Sequence, residues 1–352
     1  MMKKFNIIAI IVAIAAIISQ PVSAQKKFAI YAGGFYNLEN LFDTIHDNGK
    51  NDYEYLPNGN NKWNSTKYTH KLANMAHTLA EMGTDVLPDV GCAFIGVSEV
   101  ENSNALNDLV MQSPLAQRGI KFCHIEGPDA RGIDCALLYN PKLFSVRNVK
   151  LVPYIYEKTE DSLKATRGFL TVSGTIANEH VTVVVCHLPS RYSPSYYREQ
   201  GGNQLKRLKD SLVADDPNVK IFIMGDMNDD PFDKSMSTCL GAHREMKDVE
   251  VGGLYNPWWN TLVRDGNGTL YYKGAWNLFD QIIMSNNLLD VKGKKKYKGL
   301  TFYKHSIFKR DYLIQSEGKY KGAPLRTSAG GVWLDGYSDH LPVVVYLIKE
   351  TK

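Results

Sequence analysis

The chain has few cysteines, and their arrangement suits neither a zinc site nor a disulfide framework. Only five of its 352 residues are cysteine. There is no Cys-x-x-Cys pair and no Cys/His spacing typical of zinc. The count is odd and several cysteines lie in apolar runs, which is typical of small core residues. We therefore expect no essential disulfide. The five are Cys92, Cys123, Cys135, Cys186 and Cys239.

Only one long apolar run is present, and it lies near the N-terminus. Lys3 and Lys4 precede the apolar stretch Ile7–Ile18, and Val22–Ala24 offers a small-residue cleavage site. This pattern predicts a secretory signal peptide over residues 1–24, with a retained N-terminal anchor as the alternative. Because no second such run follows, we expect no membrane insertion after cleavage. The mature protein is expected to be exported, either periplasmic or secreted.

The chain also lacks a strong net charge, internal repeats and long linkers. The formal charge of +4 falls to +2 when the two lysines of the signal peptide are removed. Such a chain does not demand nucleic acid, and it does not exclude a local basic groove. It argues mildly against tight, non-specific duplex binding. Residues 25–352 predict one domain, and we expect a monomer without a stable protein partner.

Hydrophobic spacing indicates a mixture of helices and strands. Apolar residues at helical spacing predict helices at Tyr68–Met82, Asn104–Met111 and Tyr196–Val213, although Gly201-Gly202 weakens the last. A mixture of this kind favours α/β layers, with a two-sheet sandwich flanked by helices. The predicted strands are Phe28–Asn37, Cys92–Val97, Cys135–Tyr139, Phe169–Ile176, Val181–Cys186, Ile221–Met224, Tyr271–Tyr272, Gln281–Met284 and Pro342–Ile348.

Six predicted strand ends share one feature: an acid, amide or histidine stands next to the apolar run. Each alone is compatible with an ordinary turn, a strand-end charge or a core histidine. Strands of one sheet deliver their ends to a common edge, where acids can hold a hard cation and histidines can bind phosphate or move protons. Carboxylates and amides without cysteine favour Mg²⁺, Mn²⁺ or Ca²⁺ over zinc. The six motifs are NLEN at Asn37, SEVEN at Ser98, CHLPSR at Cys186, GDMNDDP at Gly225, DQIIMS at Asp280 and SDHLPVVV at Ser338.

In this order the six motifs resemble the endonuclease/exonuclease/phosphatase superfamily, over nearly the whole mature chain. The resemblance implies a four-layer α/β/β/α sandwich of two mainly antiparallel sheets, with the active site at one edge. It also implies a hydrolase acting on phosphoester bonds, with Mg²⁺ or Mn²⁺ as cofactor and Ca²⁺ as an alternative. The implied catalytic residues are His187, Asp226, Asn228, Asp280 and His340. The implied metal-binding residues are Asn37, Glu39, Glu99 and Asp339.

The chemistry of phosphodiester hydrolysis gives these residues physical roles. A divalent ion on Glu99 would act as the Lewis acid, while the resemblance assigns Asp226 to the attacking water. A protonated His340, held by Asp280, would be a charge-assisted donor to the phosphoryl oxygens. His187 is expected to donate to the scissile phosphate or to the leaving oxygen. Candidate phosphate ligands are Arg131, Ser190 and Arg191, with surface salt bridges as the alternative for the two arginines.

The substrate is predicted from smaller features. Asp229–Pro231 after GDMN, the NLEN opening and a histidine at position 187 resemble secreted bacterial nucleases of the superfamily. We therefore expect a nuclease that acts on DNA or RNA. A phosphatase or sphingomyelinase-like enzyme on a small or lipid phosphoester is the alternative, and a catalytically silent binding module is a remote one.

Two aromatic stretches are open to two interpretations. They can stack bases beside the active site, or they can simply pack long loops. The rings concerned are Tyr53, Tyr55 and Trp63 in the polar segment Asp43–Ser65, and Trp258 and Trp259 in LYNPWWN.

Overall fold

The computed structural model describes residues 27–156, 166–294 and 296–351. The predicted signal peptide, residues 1–24, lies outside these ranges. Two mixed sheets, of six and seven strands, pack face to face. Helices cover their outer faces. This arrangement confirms the predicted α/β/β/α sandwich.

The first sheet carries both ends of the described chain. Numbered along the chain, its strands are β1 (Lys27–Leu41), β2 (Phe94–Val100), β3 (Lys121–His124), β4 (Asp134–Tyr139), β14 (Thr301–Ile307) and β17 (Val343–Thr351). They are ordered β14-β17-β1-β2-β4-β3. Strands β1 and β2 run parallel, whereas the other neighbours run antiparallel.

The second sheet contains the central strand of the GDMN motif. Its strands are β5 (Phe144–Val152), β6 (Phe169–Ile176), β7 (Glu179–His187), β8 (Lys220–Asp226), β9 (Ala242–His243), β10 (Leu254–Tyr255) and β13 (Asp280–Ser285). They are ordered β5-β6-β7-β8-β13-β10-β9, with β7–β8 and β9–β10 parallel. Two small hairpins stand outside the sheets: β11 (Leu270–Tyr272) with β12 (Ala275–Asn277), and β15 (Ser328–Ala329) with β16 (Val332–Trp333).

The predicted helices are confirmed. The helices are α1 (Ser65–Glu81), α2 (Ser103–Val110), α3 (Ser113–Ala116), α4 (Ser195–Asp215) and α5 (Trp258–Val263). The glycines inside α4 have a packing role, because a Cβ at Gly202 would collide with the backbone of the π-helical segment Ser235–Leu240. In the part of the chain that the structure describes, no helix is both long and apolar enough to cross a membrane.

Strand alternation decides which side chains enter which layer of the core. On β1, Phe35 enters the core between the sheets while its neighbour Tyr36 packs under α1. On β8, Phe222 faces the inter-sheet core and Ile221 packs towards α4. Both faces of these central strands are buried, which explains their nearly continuous apolar sequence. Trp258 is also part of the inter-sheet core.

Candidate active site

The six motifs meet at one edge of the sandwich because of strand direction. The C-terminal ends of β1, β2, β7 and β8 lie at this edge. Strand β13 runs antiparallel to β8 and β17 runs antiparallel to β1, so their N-terminal ends reach the same edge. The pairing places His187 and Asp280 opposite Asp226 on either side. The first sheet contributes Asn37, Glu99 and the residues just before β17.

Register shifts and positive φ angles orient several side chains of the site. The β1–β2 pairing shifts register after Asn37, and the β2–β4 pairing shifts between Ser98 and Val100. Glu99 within this bulge has φ +62°, and Asn228 just after β8 has φ +49°. Positive φ is uncommon for residues other than glycine and costs free energy that packing must offset. The bulge turns Glu99 into the cleft instead of along the sheet.

Asp226 is the centre of a contact network that joins the two sheets. Its Oδ2 accepts a hydrogen bond from Asn37 Nδ2 at 3.0 Å. The same oxygen lies 3.7 Å from His187 Nε2 and 3.7 Å from His340 Nε2. Glu99 joins the network through its Oε1, 3.2 Å from Asn37 Nδ2 and 3.9 Å from His187 Nε2. Two acids, two imidazoles and an amide thus converge within the space of one small ion or one phosphoryl group.

His340 is held by a buried carboxylate. Its Nδ1 lies 2.7 Å from Oδ2 of Asp280, and the Asp280 side chain is fully buried. Burial alone would lower the pKa of His340, but the charges of Asp280 and Asp226 and the hydrogen bond to Asp280 raise it well above its ordinary value. The imidazole is therefore a cation at neutral pH. Its Nε2 points its proton towards Asp226 and the cleft.

The pKa values of Asp226 and His187 are shifted in opposite directions. Burial raises the pKa of Asp226 to about 7; the cationic His340 counteracts this effect, and Asp280 and Glu99 add to it. A carboxylate with a pKa near the working pH suits a general base. Burial lowers the pKa of His187, and the charges of Arg167, Arg131 and His340 lower it further. His187 is therefore neutral, and it can offer one N–H or one lone pair but not the extra proton of an imidazolium.

An open cleft of about 690 Å³ lies over this network. Arg131 and Ser190, two of the predicted phosphate ligands, line it. Asn228 and Asp339 also line it, and the side-chain amide of Asn228 donates to the Leu188 carbonyl at 3.0 Å. The arrangement brings these four residues together with the central acids and histidines.

Arg167 is a cleft residue that the sequence interpretation missed. It is buried, lines the cleft, and pairs with Asp129 through an Nη1–Oδ2 distance of 2.8 Å. Its Nε has no hydrogen-bond partner among the described residues. A usable signal was present: the β6–β7 hairpin pairs Leu170 with Val185, and continuing that register brings residue 167 to the strand end that carries His187.

The structure does not place Arg191 with the other predicted phosphate ligands in the cleft. Its guanidinium is held by Asp230 at 2.9 Å, Asp233 at 2.7 Å and Asp229 at 3.4 Å. It also stacks over the Phe279 ring at 4.5 Å and does not line the cleft. Three carboxylates already neutralise this cation, so Arg191 clamps the DDP turn instead of binding substrate.

The structure also places Glu39, a predicted metal ligand, outside the cleft. Its Oε1 accepts from Arg326 Nε at 3.1 Å and its Oε2 from the Thr327 amide at 2.6 Å. Burial raises the pKa of Glu39 to about 7, with Asp339 adding to the effect and Lys71 and Arg326 opposing it. Both carboxylate oxygens are engaged by protein donors. Glu39 lines a neighbouring pocket and not the cleft.

The aromatic stretches mostly pack the fold. Trp258 is 0% exposed and Trp63 is 2% exposed, so neither ring can stack on a base. Tyr55 stacks on Phe42 with ring centroids 4.2 Å apart. The segment that carries Tyr55 and Trp63 nevertheless lies beside the site, because it lines the pocket that also contains Glu39.

The donor set fits a hard divalent cation. Glu99, His187 and Asp226 each present a ligand atom within 4.8 Å of the others, and Asp226, Asp280 and His340 form a second such group. In the second group the imidazole is already bonded to Asp280, so the first group is the better site. Carboxylate oxygens without a thiolate suit Mg²⁺ or Mn²⁺. Neither group includes Asp339, whose Oδ2 pairs with Arg326 at 2.9 Å.

The comparison with known families agrees with this geometry. The model of a family described as Endonuclease/Exonuclease/phosphatase matches residues 32–349. The chain belongs to the endonuclease/exonuclease/phosphatase family. Members of this family hydrolyse phosphoester bonds, so the protein is a phosphoester hydrolase by family. No curated protein matched its sequence.

Solved structures of the endonuclease/exonuclease/phosphatase family share the fold at low sequence identity. A family protein from Bacteroides thetaiotaomicron has a TM-score of 0.56 and 13% identity, covering 93% of this chain and 100% of that one. A mannosyl-6-phosphatase of the same species has a TM-score of 0.54 and 14% identity, covering 90% and 99%. TDP2 of D. rerio with single-strand DNA product has a TM-score of 0.53 and 13% identity, covering 91% and 99%. These similarities establish the fold alone.

Proposed function

We propose that this protein is an exported, divalent-metal-dependent phosphodiesterase of a bacterium and that it hydrolyses nucleic acid. One observation carries the chemistry: Glu99, Asp226 and the buried Asp280–His340 pair converge in a single cleft. An acid that can take a proton and an imidazolium that can give a hydrogen bond then face the same small space. That combination is what hydrolysis of a phosphoester needs.

Asp226, His340 and Asp280 have distinct roles in the proposed reaction. Asp226, with a pKa raised to about 7, orients the attacking water and accepts its proton. Two hydrogen bonds fix the position of its carboxylate. The side-chain amide of Asn37 donates to Oδ2 at 3.0 Å, and the backbone amide of Asn228 donates to Oδ1 at 2.9 Å. His340 donates from Nε2 to a non-bridging phosphoryl oxygen, and the bond becomes stronger as negative charge develops there. Asp280 keeps the imidazole protonated and aimed.

Glu99 and His187, beside Asp226, are the residues that would hold Mg²⁺ or Mn²⁺. Bound there, the ion supplies Lewis acidity and neutralises charge on the phosphate. His187 is neutral in this environment, as a metal-ligating imidazole must be. The backbone amide of Asn40 donates to the second oxygen of Glu99 at 3.0 Å and fixes the orientation of its carboxylate.

Three observations support a nucleic acid substrate. Arg131 and Arg167 line the same wall of the cleft, where they can contact phosphates of a polynucleotide. The volume of about 690 Å³ is that of a site for a ligand of nucleotide size. TDP2 of D. rerio, crystallised with a single-strand DNA product, shares the fold. The N-terminal sequence supports export.

A sugar phosphatase is the second candidate. It is favoured by a polar pocket next to the cleft that contains Glu39, Asn61 and Arg326. A protein of the same fold is described as a mannosyl-6-phosphatase.

The substrate panel distinguishes these functions. The purified protein is incubated with Mg²⁺ or Mn²⁺ and with plasmid DNA, RNA, sphingomyelin, inositol polyphosphates, a hexose 6-phosphate or bis-p-nitrophenyl phosphate. We expect cleavage of DNA or RNA and of bis-p-nitrophenyl phosphate, and no cleavage in EDTA. Hydrolysis of inositol polyphosphates or of the hexose phosphate, with both nucleic acids untouched, would refute the nuclease proposal while keeping the phosphoesterase chemistry.

A further inference from the structure

A second, smaller cavity lies directly beside the catalytic cleft. Its volume is about 180 Å³. One side is the segment Tyr53–Trp63, part of the polar stretch between β1 and α1. The other side is the hairpin of β15 and β16, whose turn is Gly330-Gly331. None of the catalytic steps described above uses this cavity.

The cavity and the catalytic cleft share a wall. Arg326 lines the cavity and bridges Glu39 on the cavity side, at 3.1 Å, to Asp339 on the cleft side, at 2.9 Å. Asn40 also lines the cavity, and its amide donates to Glu99 Oε2 at 3.0 Å. A group in the cavity therefore lies next to the metal-binding glutamate.

The shared wall is built rigidly. Lys71 is fully buried, and its Nζ donates to Thr327 Oγ1 and to the Tyr337 carbonyl, at 2.5 Å and 2.6 Å. The Thr327 amide in turn holds Glu39. A buried lysine that fixes two chain segments beside a cavity pre-organises that cavity for a ligand. The half-buried ring of Tyr55 also lines the cavity.

The lining of the cavity is polar and of mixed character. Glu39 and Glu54 contribute carboxylates, Arg326 contributes a guanidinium, and the buried Lys71 lies near Glu39. Hydroxyl and amide groups of a ligand would therefore find both donors and acceptors. Asn61 also lines the cavity. Its backbone N–H donates to the Glu54 carbonyl at 3.1 Å, and its carbonyl accepts from Lys67 Nζ at 2.7 Å, so neither bond uses its side-chain amide.

We propose that this cavity is a substrate subsite for the neutral, hydroxylated ring esterified to the scissile phosphate, a pentose with its base or a hexose. The inference rests on the proposed phosphoesterase function and adds the group that the enzyme recognises beside the phosphate. Both kinds of ring present the same chemistry to the cavity: hydroxyl groups for Glu54, Asn61 and Arg326, and an apolar face for the ring of Tyr55.

The test compares substrates with and without the ring. The three are thymidine 5′-(p-nitrophenyl phosphate), a hexose 6-phosphate, and bis-p-nitrophenyl phosphate, which has no sugar. Asn61→Ala and Glu54→Gln are measured with the wild-type protein and with Asn148→Ala, a matched control on the exposed face of edge strand β5. Each lining variant should lower kcat/KM for a sugar-bearing substrate by about fivefold, the effect of losing one hydrogen bond. Bis-p-nitrophenyl phosphate should be hydrolysed at an unchanged rate.

The outcomes separate this inference from the proposed function. An effect confined to the thymidine substrate identifies the subsite as one for a nucleoside, and an effect confined to the hexose phosphate identifies it as one for a hexose. Equal effects of the lining variants on all hydrolysed substrates, or no effect on any, would overturn the subsite while leaving the phosphoesterase function intact. If the wild-type protein hydrolysed none of the three with Mg²⁺ or Mn²⁺, the proposed function would be wrong and the subsite would fall with it.

Discussion

Replacing Asp280 by asparagine tests the electrostatic design of the site with little change in shape. Asp280 is fully buried and its Oδ2 lies 2.7 Å from Nδ1 of His340. The asparagine oxygen can still accept that proton, but the negative charge that raises the pKa of His340 is lost. Burial is then opposed only by the charges of Asp226 and Asp339, so the pKa of His340 falls and the protonated imidazole is lost at a lower pH. The protein should still fold, because asparagine leaves no charge unpaired.

The expected loss of activity follows from the missing cation. Removing a donor of this kind from a transition state costs about 3–4 kcal/mol, a factor of about 10²–10³ in kcat. The alkaline limb of the pH–rate profile should also move to lower pH, because the protonated form of His340 is now lost earlier as pH rises. The assay is kcat and kcat/KM for bis-p-nitrophenyl phosphate across pH, with a circular dichroism melt to verify folding.

The control is a similar pair outside the cleft. His124 Nε2 lies 3.1 Å from Oδ2 of Asp134, and both side chains are buried. Asp134→Asn should change the thermal melt without moving the pH profile. A folded Asp280→Asn protein with wild-type kcat and an unshifted alkaline limb would refute the assignment of His340 as the protonated donor.

Three further predictions concern residues around the site and a half-buried histidine on the edge strand β14. Arg131→Ala should raise KM about fivefold with kcat and the melting temperature nearly unchanged, because Arg131 is an exposed cleft residue. Arg191→Ala should instead lower the free energy of unfolding by about 1–2 kcal/mol and leave KM unchanged, since its partners are Asp229, Asp230 and Asp233; a raised KM would restore it as a phosphate ligand. Burial lowers the pKa of His305 to about 4. The unfolded chain therefore takes up that proton first as pH falls, and stability should decline from about pH 6.5 and level off below about pH 4, by up to about 3 kcal/mol. Urea unfolding of wild type and His305→Phe across this range should differ in slope; equal slopes would contradict the burial of His305.

The fold and the central site could be predicted because their signals are local. Apolar runs on β7, β8 and β13 and the helical spacing on α1 are set by burial alone. Each site motif stands at the end of such a run, so the strand direction that brings Asp226 and His340 together was implied once the sheets were inferred. In the sequence, the two glycines of α4 argue weakly against a helix. In the fold, they allow close packing against Ser235–Leu240.

The surroundings of the site could not be predicted because they depend on partners far apart in sequence. Glu39 looks like a metal ligand in NLEN, but Arg326, 287 residues away, occupies its carboxylate. Arg191 looks like a phosphate ligand in CHLPSR, but the DDP turn folds back over its guanidinium. Arg167 lies just outside its predicted strand and enters the cleft only through hairpin register. Local sequence indicates the chemical type of a side chain; the tertiary partners decide whether it is available.

Metal dependence built on Glu99 is the claim to test first. EDTA-treated wild type and Glu99→Gln are titrated in parallel with Mn²⁺ or Mg²⁺, and the hydrolysis of bis-p-nitrophenyl phosphate is measured. Glutamine keeps the shape of the side chain and the contact to the Asn40 amide but removes the charge that would hold the ion. We expect no hydrolysis in EDTA, full recovery of the wild type on addition of metal, and little or no recovery of Glu99→Gln. Undiminished hydrolysis in EDTA, or equal recovery of the two proteins at the same metal concentration, would contradict a metal-dependent site built on Glu99.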